Sequence, residues 1–209
     1  MKAFDIITEA DARTLETGST VSLKPGGHVT PLAADTLRER RITVLSRVAE
    51  ANLDGLAPVA DIKSIAIGSD HSGVALKGTL REHLRQRGLR VFDVGTEGSD
   101  PVDYPDIAAQ VARLVARREV DAAIVIDGAG LGSAIAANKI AGARAAMCTD
   151  QTLARYSREH NGANVLALGA TLISIEDAVA IVDTWIGTPM REARYIRRLA
   201  KIRALEKMP

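Results

Sequence analysis

A single cysteine, Cys148, leaves no possibility of an internal disulfide and fits a reducing compartment. Aromatic residues are scarce: three Tyr, two Phe and one Trp are too few and too scattered for a surface on which nucleobases stack. Charge of one sign is lacking too. With 27 Lys and Arg against 26 Asp and Glu, the chain has no basic excess of the kind that binds nucleic acid. No apolar run approaches the roughly 18 residues of a membrane span. The start, MKAFDIITEADART, has three acidic residues and no continuous apolar stretch, so it does not read as a secretory signal. Histidines at metal-ligand spacing are missing as well: His28 sits in a Pro/Gly turn and His83 beside Glu82 in a helical stretch, so no metal site is expected. What remains, 46% hydrophobic and 25% charged in 209 residues, is the composition of a cytoplasmic protein with one ordinary domain and a small appendage.

The pattern that is present begins at Lys63, where short apolar runs alternate with longer amphipathic ones. Lys63–Gly68, Arg90–Val94, Asp121–Ile126, Ala143–Cys148 and Asn164–Leu168 read as strands. The spacing predicts helices over Val74–Gly88, Tyr104–Arg118, a short segment ending at Lys139, Gln151–Glu159, Ile175–Gly187 and Arg191–Lys207. Strands apolar on both faces and separated by helices predict an α/β fold: a three-layer, Rossmann-like domain with a five-stranded parallel sheet over residues 61–209. In such sheets ligands bind beyond the carboxyl ends of the strands. The first 60 residues do not continue this rhythm. Thr8 is expected to cap a short helix through Glu16, Lys24–Gly27 to turn, Thr30–Arg40 to form a second helix, Ile42–Val48 a strand and Ala51–Ile62 a linker. This N-terminal extension is expected to serve packing or oligomer contacts, or to dock on a larger assembly such as the shell of a bacterial microcompartment.

Chemistry is therefore sought just after each strand. After the first come Asp70 and His71, a carboxylate and an imidazole suited to a sugar hydroxyl and an anion; an N-cap aspartate with an incidental histidine is the alternative. After the third comes Asp127-Gly128-Ala129-Gly130-Leu131-Gly132-Ser133. Its alternating glycines let the backbone approach a ligand, and the helix that follows adds positive partial charge for a phosphate or an oxyanion. The spacing is not the G-x-G-x-x-G of a dinucleotide site. Asp127 closes an otherwise apolar strand, as a catalytic carboxylate or as a cap for the helix. His160 and Asn161 end the helix Gln151–Glu159, where the dipole favours an imidazolium that can act as an acid, or simply a solvated surface histidine. Arg194 and Arg198, four apart on the last helix, can converge on one anion or form a solvated basic face. Cys148 reads as a buried packing residue.

Together these segments resemble one family. From Ile65 to about Ile202, GSDHSG (Gly68–Gly73), DYPD (Asp103–Asp106), DGAGLGSAIAANK (Asp127–Lys139), SREHNGANVLALG (Ser157–Gly169) and the Arg194/Arg198 pair are similar, in order and spacing, to motifs of type B ribose-5-phosphate isomerases and galactose-6-phosphate isomerase subunits. The resemblance implies ring opening of a small sugar phosphate and proton transfer through an enediolate, without metal or organic cofactor. It implies Asp70 and His160 for ring opening, and His71, Arg194 and Arg198 on the phosphate. Tyr104 and Asn161 would bind hydroxyls, and the backbone of Gly128, Ala129, Gly130, Leu131 and Gly132, with Ser133, would surround the enediolate. It also implies a homodimer or homotetramer with shared active sites. The chain departs from the family where one branch has a cysteine base (here Asp127), another a glutamate (here Ser133), and many a phosphate-binding arginine (here Thr171). Asp127 is accordingly expected to be the base. The expected substrate is ribose 5-phosphate; a tetrose phosphate, another pentose phosphate, or mere binding of a sugar phosphate or nucleotide are the rival readings.

Overall fold

A computed structural model describes residues 3–46, 56–190 and 193–206, and the chain divides into two compact units, Met1–Asp54 and Gly55–Pro209. The first unit does carry a strand–helix rhythm, contrary to expectation: β1 (Ala3–Ile7), α1 (Glu9–Thr14), β2 (Thr20–Val29), α2 (Pro31–Glu39) and β3 (Thr43–Ser46). The three strands are parallel, in the order β1-β2-β3. Thr8 starts α1 in a reciprocal capping box: its hydroxyl accepts from the Asp11 N–H, and the Asp11 carboxylate accepts from the Thr8 N–H. Thr30 caps α2 without the reciprocal bond, its hydroxyl accepting from the Ala33 N–H, with Pro31 at the first helical position. Ile7, Ala12, Leu15, Val21, Leu23, Ala33, Leu37 and Ile42 form its core.

The expected turn Lys24–Gly27 lies inside β2 instead. The register passes from Phe4↔Leu23 to Ile6↔His28, so this segment bulges out of the ladder without ending the strand. Gly27 is required there, because a Cβ would stand 2.6 Å from the Asp5 carbonyl oxygen of β1. β1 itself escapes the hydrophobic pattern because most of it is exposed, only Ile7 being buried. Residues 47–48 of the expected strand Ile42–Val48 and 51–55 of the expected linker lie outside the described residues, as do residues 191, 192 and 207 of the expected last helix.

The second unit is built from β4 (Ser64–Ser69), α3 (Val74–Gln86), β5 (Arg90–Asp93), α4 (Tyr104–Ala116), β6 (Ala122–Asp127), α5 (Leu131–Ala137), β7 (Ala145–Met147), α6 (Gln151–Glu159), β8 (Val165–Gly169), α7 (Ile175–Gly187) and α8 (Ala193–Leu205). The five strands are parallel in the order β5-β4-β6-β8-β7. Period-two alternation assigns the faces. Ile65, Ile67, Ile124, Ile126, Leu166 and Leu168 point to α3 and α7, while the smaller Ala66, Ala123, Val125, Val165 and Ala167 meet α4 and α5. From β4 the chain runs first to one side (β5) and then to the other (β6). This is the topological switch point, and it opens a crevice at the carboxyl ends of β4 and β6.

Two guanidiniums, Arg158 buried and Arg144 half-buried, anchor the chain where it enters this unit. Arg158 has no exposed surface, stacks on Trp185 at 4.8 Å, and donates to the carbonyl oxygens of Ala163 (2.9 Å) and Val59 (2.7 Å). Arg144 donates to those of Gly162 and Leu56. Burial pushes Arg158 down to about 10, with Arg144 adding to the effect.

Candidate active site

The switch-point crevice holds the loops that follow β4 and β6. Asp127, the last residue of β6, is 4% exposed, and its carboxylate gathers the loop around itself. Oδ1 accepts from the N–H groups of Ala129 (2.9 Å) and Gly130, and Oδ2 from that of Ser133 (2.9 Å). Gly130 adopts φ +76°, which a glycine takes without penalty. The backbone donors are thereby divided. Those of Ala129 and Gly130 belong to Asp127 and not to a ligand, which corrects the expectation that all of Gly128–Gly132 point at one. Those of Gly128, Leu131 and Gly132 make no hydrogen bond among the described residues and flank the start of α5. Ser133 is fully buried, its hydroxyl without a partner among the described residues. Thr171, at the position of the missing arginine, closes the loop from behind: its N–H and its hydroxyl both donate to the Gly128 carbonyl oxygen, at 3.0 and 2.7 Å.

Neighbouring side chains complete this ledge. Asp70 caps the 3-10 turn His71–Gly73, its Oδ1 accepting from the Ser72 N–H (2.9 Å), the Ser72 hydroxyl (2.6 Å) and the Gly73 N–H (3.2 Å). The capping role weighed for this aspartate is therefore real, and Oδ2 takes no part in it. A Cβ on Gly128 would lie 3.7 Å from the Ser72 hydroxyl, so the two loops adjoin. His71 is exposed, its Nδ1 accepting from the Val102 N–H at 3.5 Å. Tyr104, at the start of α4, lays its ring against Gly132: a Cβ there would stand 2.5–2.8 Å from the ring and hydroxyl. The loop before Tyr104 is tied down by buried Lys77, which donates to Asp93 Oδ1 (2.6 Å) and to the Gly95 carbonyl. Burial pushes the Asp93 carboxyl up, but Lys77, Arg81 and the Gly95 N–H outweigh it and hold it below the usual range.

His160, Asn161 and Arg198 form a second group elsewhere. β7 and β8 are parallel, so α6 between them must run back along the sheet and end at its amino edge. Its last turn is about 20 Å from the glycine loop, the length of a six-residue strand. No hydrogen bond, ion pair or ring contact among the described residues joins the two groups. His160 caps the end of α6, its N–H donating to the Tyr156 carbonyl. Asn161 Nδ2 donates to the same oxygen at 3.1 Å. The imidazole lies between two rings, Tyr156 (centroids 4.6 Å apart, planes 16°) and Tyr195 of α8 (4.8 Å, 36°). Arg198 is exposed, its guanidinium 5.7 Å from the Tyr195 ring centroid; Arg194 is on α8 with its side chain outside the described residues. The sequence offered one signal for this aromatic column, Tyr156 being four residues before His160 on one helix face. Tyr195 is 35 positions away, and only the fold brings it there.

Cys148 is buried. Burial pushes its thiol up to about 11 from 9.0, with Ser157 opposing weakly. The folded state thus keeps a proton that the unfolded chain loses first. The stability this provides is fully present below pH 9 and lost as pH rises to about 11, a fall of about 2–3 kcal/mol. Denaturant titrations of the wild type at pH 8 and pH 11 are expected to differ by that much more than those of Cys148→Ala. Among the described residues no three His, Cys, Asp or Glu side chains are grouped as a metal site would need, and no helix is long and apolar enough to cross a membrane.

Comparison with known proteins agrees with the fold of the second unit. Residues 65–202 match the family model described as Ribose/Galactose Isomerase. Ribose-5-phosphate isomerase B of Escherichia coli is 46% identical over 145 residues, 69% of this chain and 97% of that protein. D-erythrulose-4-phosphate isomerase of Pectobacterium atrosepticum is 40% identical over 141 residues, 66% of this chain and 92% of its own length. The solved structure of Clostridium thermocellum ribose-5-phosphate isomerase B superposes with a TM-score of 0.68 at 49% identity, covering 69% of this chain and 97% of that one. With the five-stranded parallel sheet, the glycine loop at its switch point and these relatives in agreement, the chain belongs to the ribose/galactose isomerase family.

Proposed function

We propose that this protein interconverts the aldose and ketose forms of a small sugar phosphate, ribose 5-phosphate and ribulose 5-phosphate first. The observation that carries the reading is the glycine loop: a buried carboxylate, Asp127, beside three uncommitted backbone donors at the start of a helix. An enediolate needs both, a base for the carbon-bound proton and fixed donors for the oxygen that gains charge. In this scheme His160, with Asp70, opens the ring by giving a proton to the ring oxygen, and Asp127 moves the proton between the two carbons. The N–H groups of Gly128, Leu131 and Gly132 hold the enediolate oxygen. His71, Arg194 and Arg198 take the phosphate, and Tyr104 and Asn161 the hydroxyls.

Because the two groups occupy opposite ends of one sheet, the site is completed by a second copy, whose amino-edge group meets the glycine loop. Apolar surface around that loop supports this: Leu131 and Ile135 on α5 are 58% and 64% exposed, and Tyr104 40%. Homodimer or homotetramer is the assembly proposed. Residues 1–60 add assembly contacts or docking, with microcompartment association one form of the latter.

A tetrose phosphate is the second reading, favoured by the erythrulose-4-phosphate relative. Ring chemistry separates the two. Ribose 5-phosphate closes through its C4 hydroxyl, whereas a tetrose 4-phosphate has that oxygen esterified and stays open, so it needs no ring-opening acid. Incubation in D₂O with pentose and tetrose phosphates, followed by NMR, should show deuterium beside the carbonyl and ketose formation with ribose 5-phosphate. His160→Asn should slow that reaction by about 10²–10⁴-fold and leave turnover of D-erythrose 4-phosphate near the wild-type rate. Binding without exchange across the panel would favour a non-catalytic sugar-phosphate module and refute the enzyme reading.

A further inference from the structure

The column around His160 extends beyond its two rings. Arg155 lies over the Tyr156 ring at 4.8 Å and Arg198 over the Tyr195 ring at 5.7 Å, so each of the two rings beside His160 also carries an arginine. Tyr156 is 42% exposed and Tyr195 4%. Glu159 is the nearest acid, its Oε2 3.9 Å from His160 Nε2. A histidine at a helix end has two side-chain torsions free to turn, and within α6 it is the Tyr156 ring that faces it. Aromatic faces 4.6 and 4.8 Å away on both sides stop the turning: the imidazole can slide in its own plane but cannot tip out of it.

We propose that Tyr156 and Tyr195 are positioning residues that clamp the His160 imidazole in the plane from which it protonates the sugar ring oxygen. The inference rests on the reading of His160 as the ring-opening acid. Tyr195 has a second part in it, since Arg198, a proposed phosphate ligand, stands 5.7 Å from the centroid of the same ring. One ring thus couples the spacing of acid and phosphate grip, which is the distance along the sugar from ring oxygen to phosphate. Misplacement of a catalytic group by about 1 Å can cost on the order of 100-fold in rate. The cost of losing the clamp should fall on ring opening and not on enediolate formation.

The test compares Tyr156→Leu, Tyr195→Leu and Tyr195→Phe with the wild type in the full-length protein. Ring currents from both tyrosines shift the His160 imidazole protons, identified by their loss in His160→Asn. Each Leu variant should move these resonances, and Tyr195→Phe should leave them in place. With ribose 5-phosphate, kcat should fall on the order of 10–100-fold in the Leu variants, with KM changed far less in Tyr156→Leu. Ribulose 5-phosphate has its C5 oxygen esterified and is always open, so its deuterium exchange in D₂O should stay near the wild-type rate. Tyr195→Phe should match the wild type in both assays. Tyr156→Leu guards against misfolding, because Tyr156 lies at the surface and outside the buried core. Unmoved imidazole resonances, an unchanged kcat on ribose 5-phosphate, or equal losses on the cyclic and open sugars would overturn the clamp. A wild-type protein that turns over neither sugar overturns the proposed function itself; one that turns over both while Tyr156→Leu is unaffected overturns the clamp alone.

Discussion

Asp127→Asn is expected to lower kcat/KM by about 10²–10⁴-fold, the usual contribution of a positioned base. The substitution does two things at once, however. An amide has one acceptor oxygen, which can still receive the Ala129 and Gly130 N–H groups, but its NH₂ then opposes the Ser133 N–H that Oδ2 now accepts. Loss of that buried bond should cost about 1–3 kcal/mol of stability. Activity must therefore be read well below the melting temperature, with melting followed in parallel. A variant that melts earlier but keeps wild-type deuterium exchange would show Asp127 to be only the loop's cap. Asp127→Cys supplies the complementary arm. Its thiol should restore part of the exchange, rising with pH as it ionises near ~8.5, and iodoacetamide should abolish it. The same reagent should leave the native wild type active, because Cys148 is buried and its thiol is pushed up to about 11.

Gly169→Ala is the second substitution with a large expected effect. Gly169 ends β8 beside Asp127, and a Cβ there would stand 2.7 Å from both the carbonyl carbon and the oxygen of Ala129. Both neighbours are backbone. On one side is a ladder strand, and on the other a loop held by Asp127 and Thr171. No side chain can rotate away, so the loop itself must move. Overpacking of this kind costs about 1–3 kcal/mol, or about 2–12 °C in melting temperature for a unit of this size. The larger loss should be in kcat, because the N–H groups of Gly128 and Leu131 on either side of Ala129 are displaced; a single misplaced oxyanion donor is worth about 10²–10³-fold. Gly78→Ala provides the control. It is inside α3 with nothing within 4 Å of its Cβ, and should stabilise by about 0.5–1 kcal/mol without touching turnover. A Gly169→Ala enzyme with wild-type kcat would mean that the loop need not be held where it is.

The second unit was legible almost residue by residue. Gln151–Glu159 and Ile175–Gly187 are helices with the boundaries the spacing predicts, and the strands differ from expectation by no more than two residues at either end. The first unit was less so. Its second strand passes through Lys24–Gly27, whose proline and glycines signal a turn, and it survives because the neighbouring β1 accepts a bulge. Of the candidate site, the residues after β4 and β6 could be found from position alone, since local loops carry them.

What the sequence by itself determined is the layered sheet and the place of its glycine loop. Both follow from local rules: burial on two faces writes continuous apolar strands, and a close backbone approach writes glycine. Only the tertiary structure decided how that loop's donors are divided, Asp127 claiming those of Ala129, Gly130 and Ser133. Only it separated His160 from the loop, at the far end of the sheet, and gave it Tyr195 as a neighbour. The physical reason is common to both. A hydrogen bond or a ring stack is awarded by competition among groups brought together in space, and spacing along a chain does not record which competitor wins.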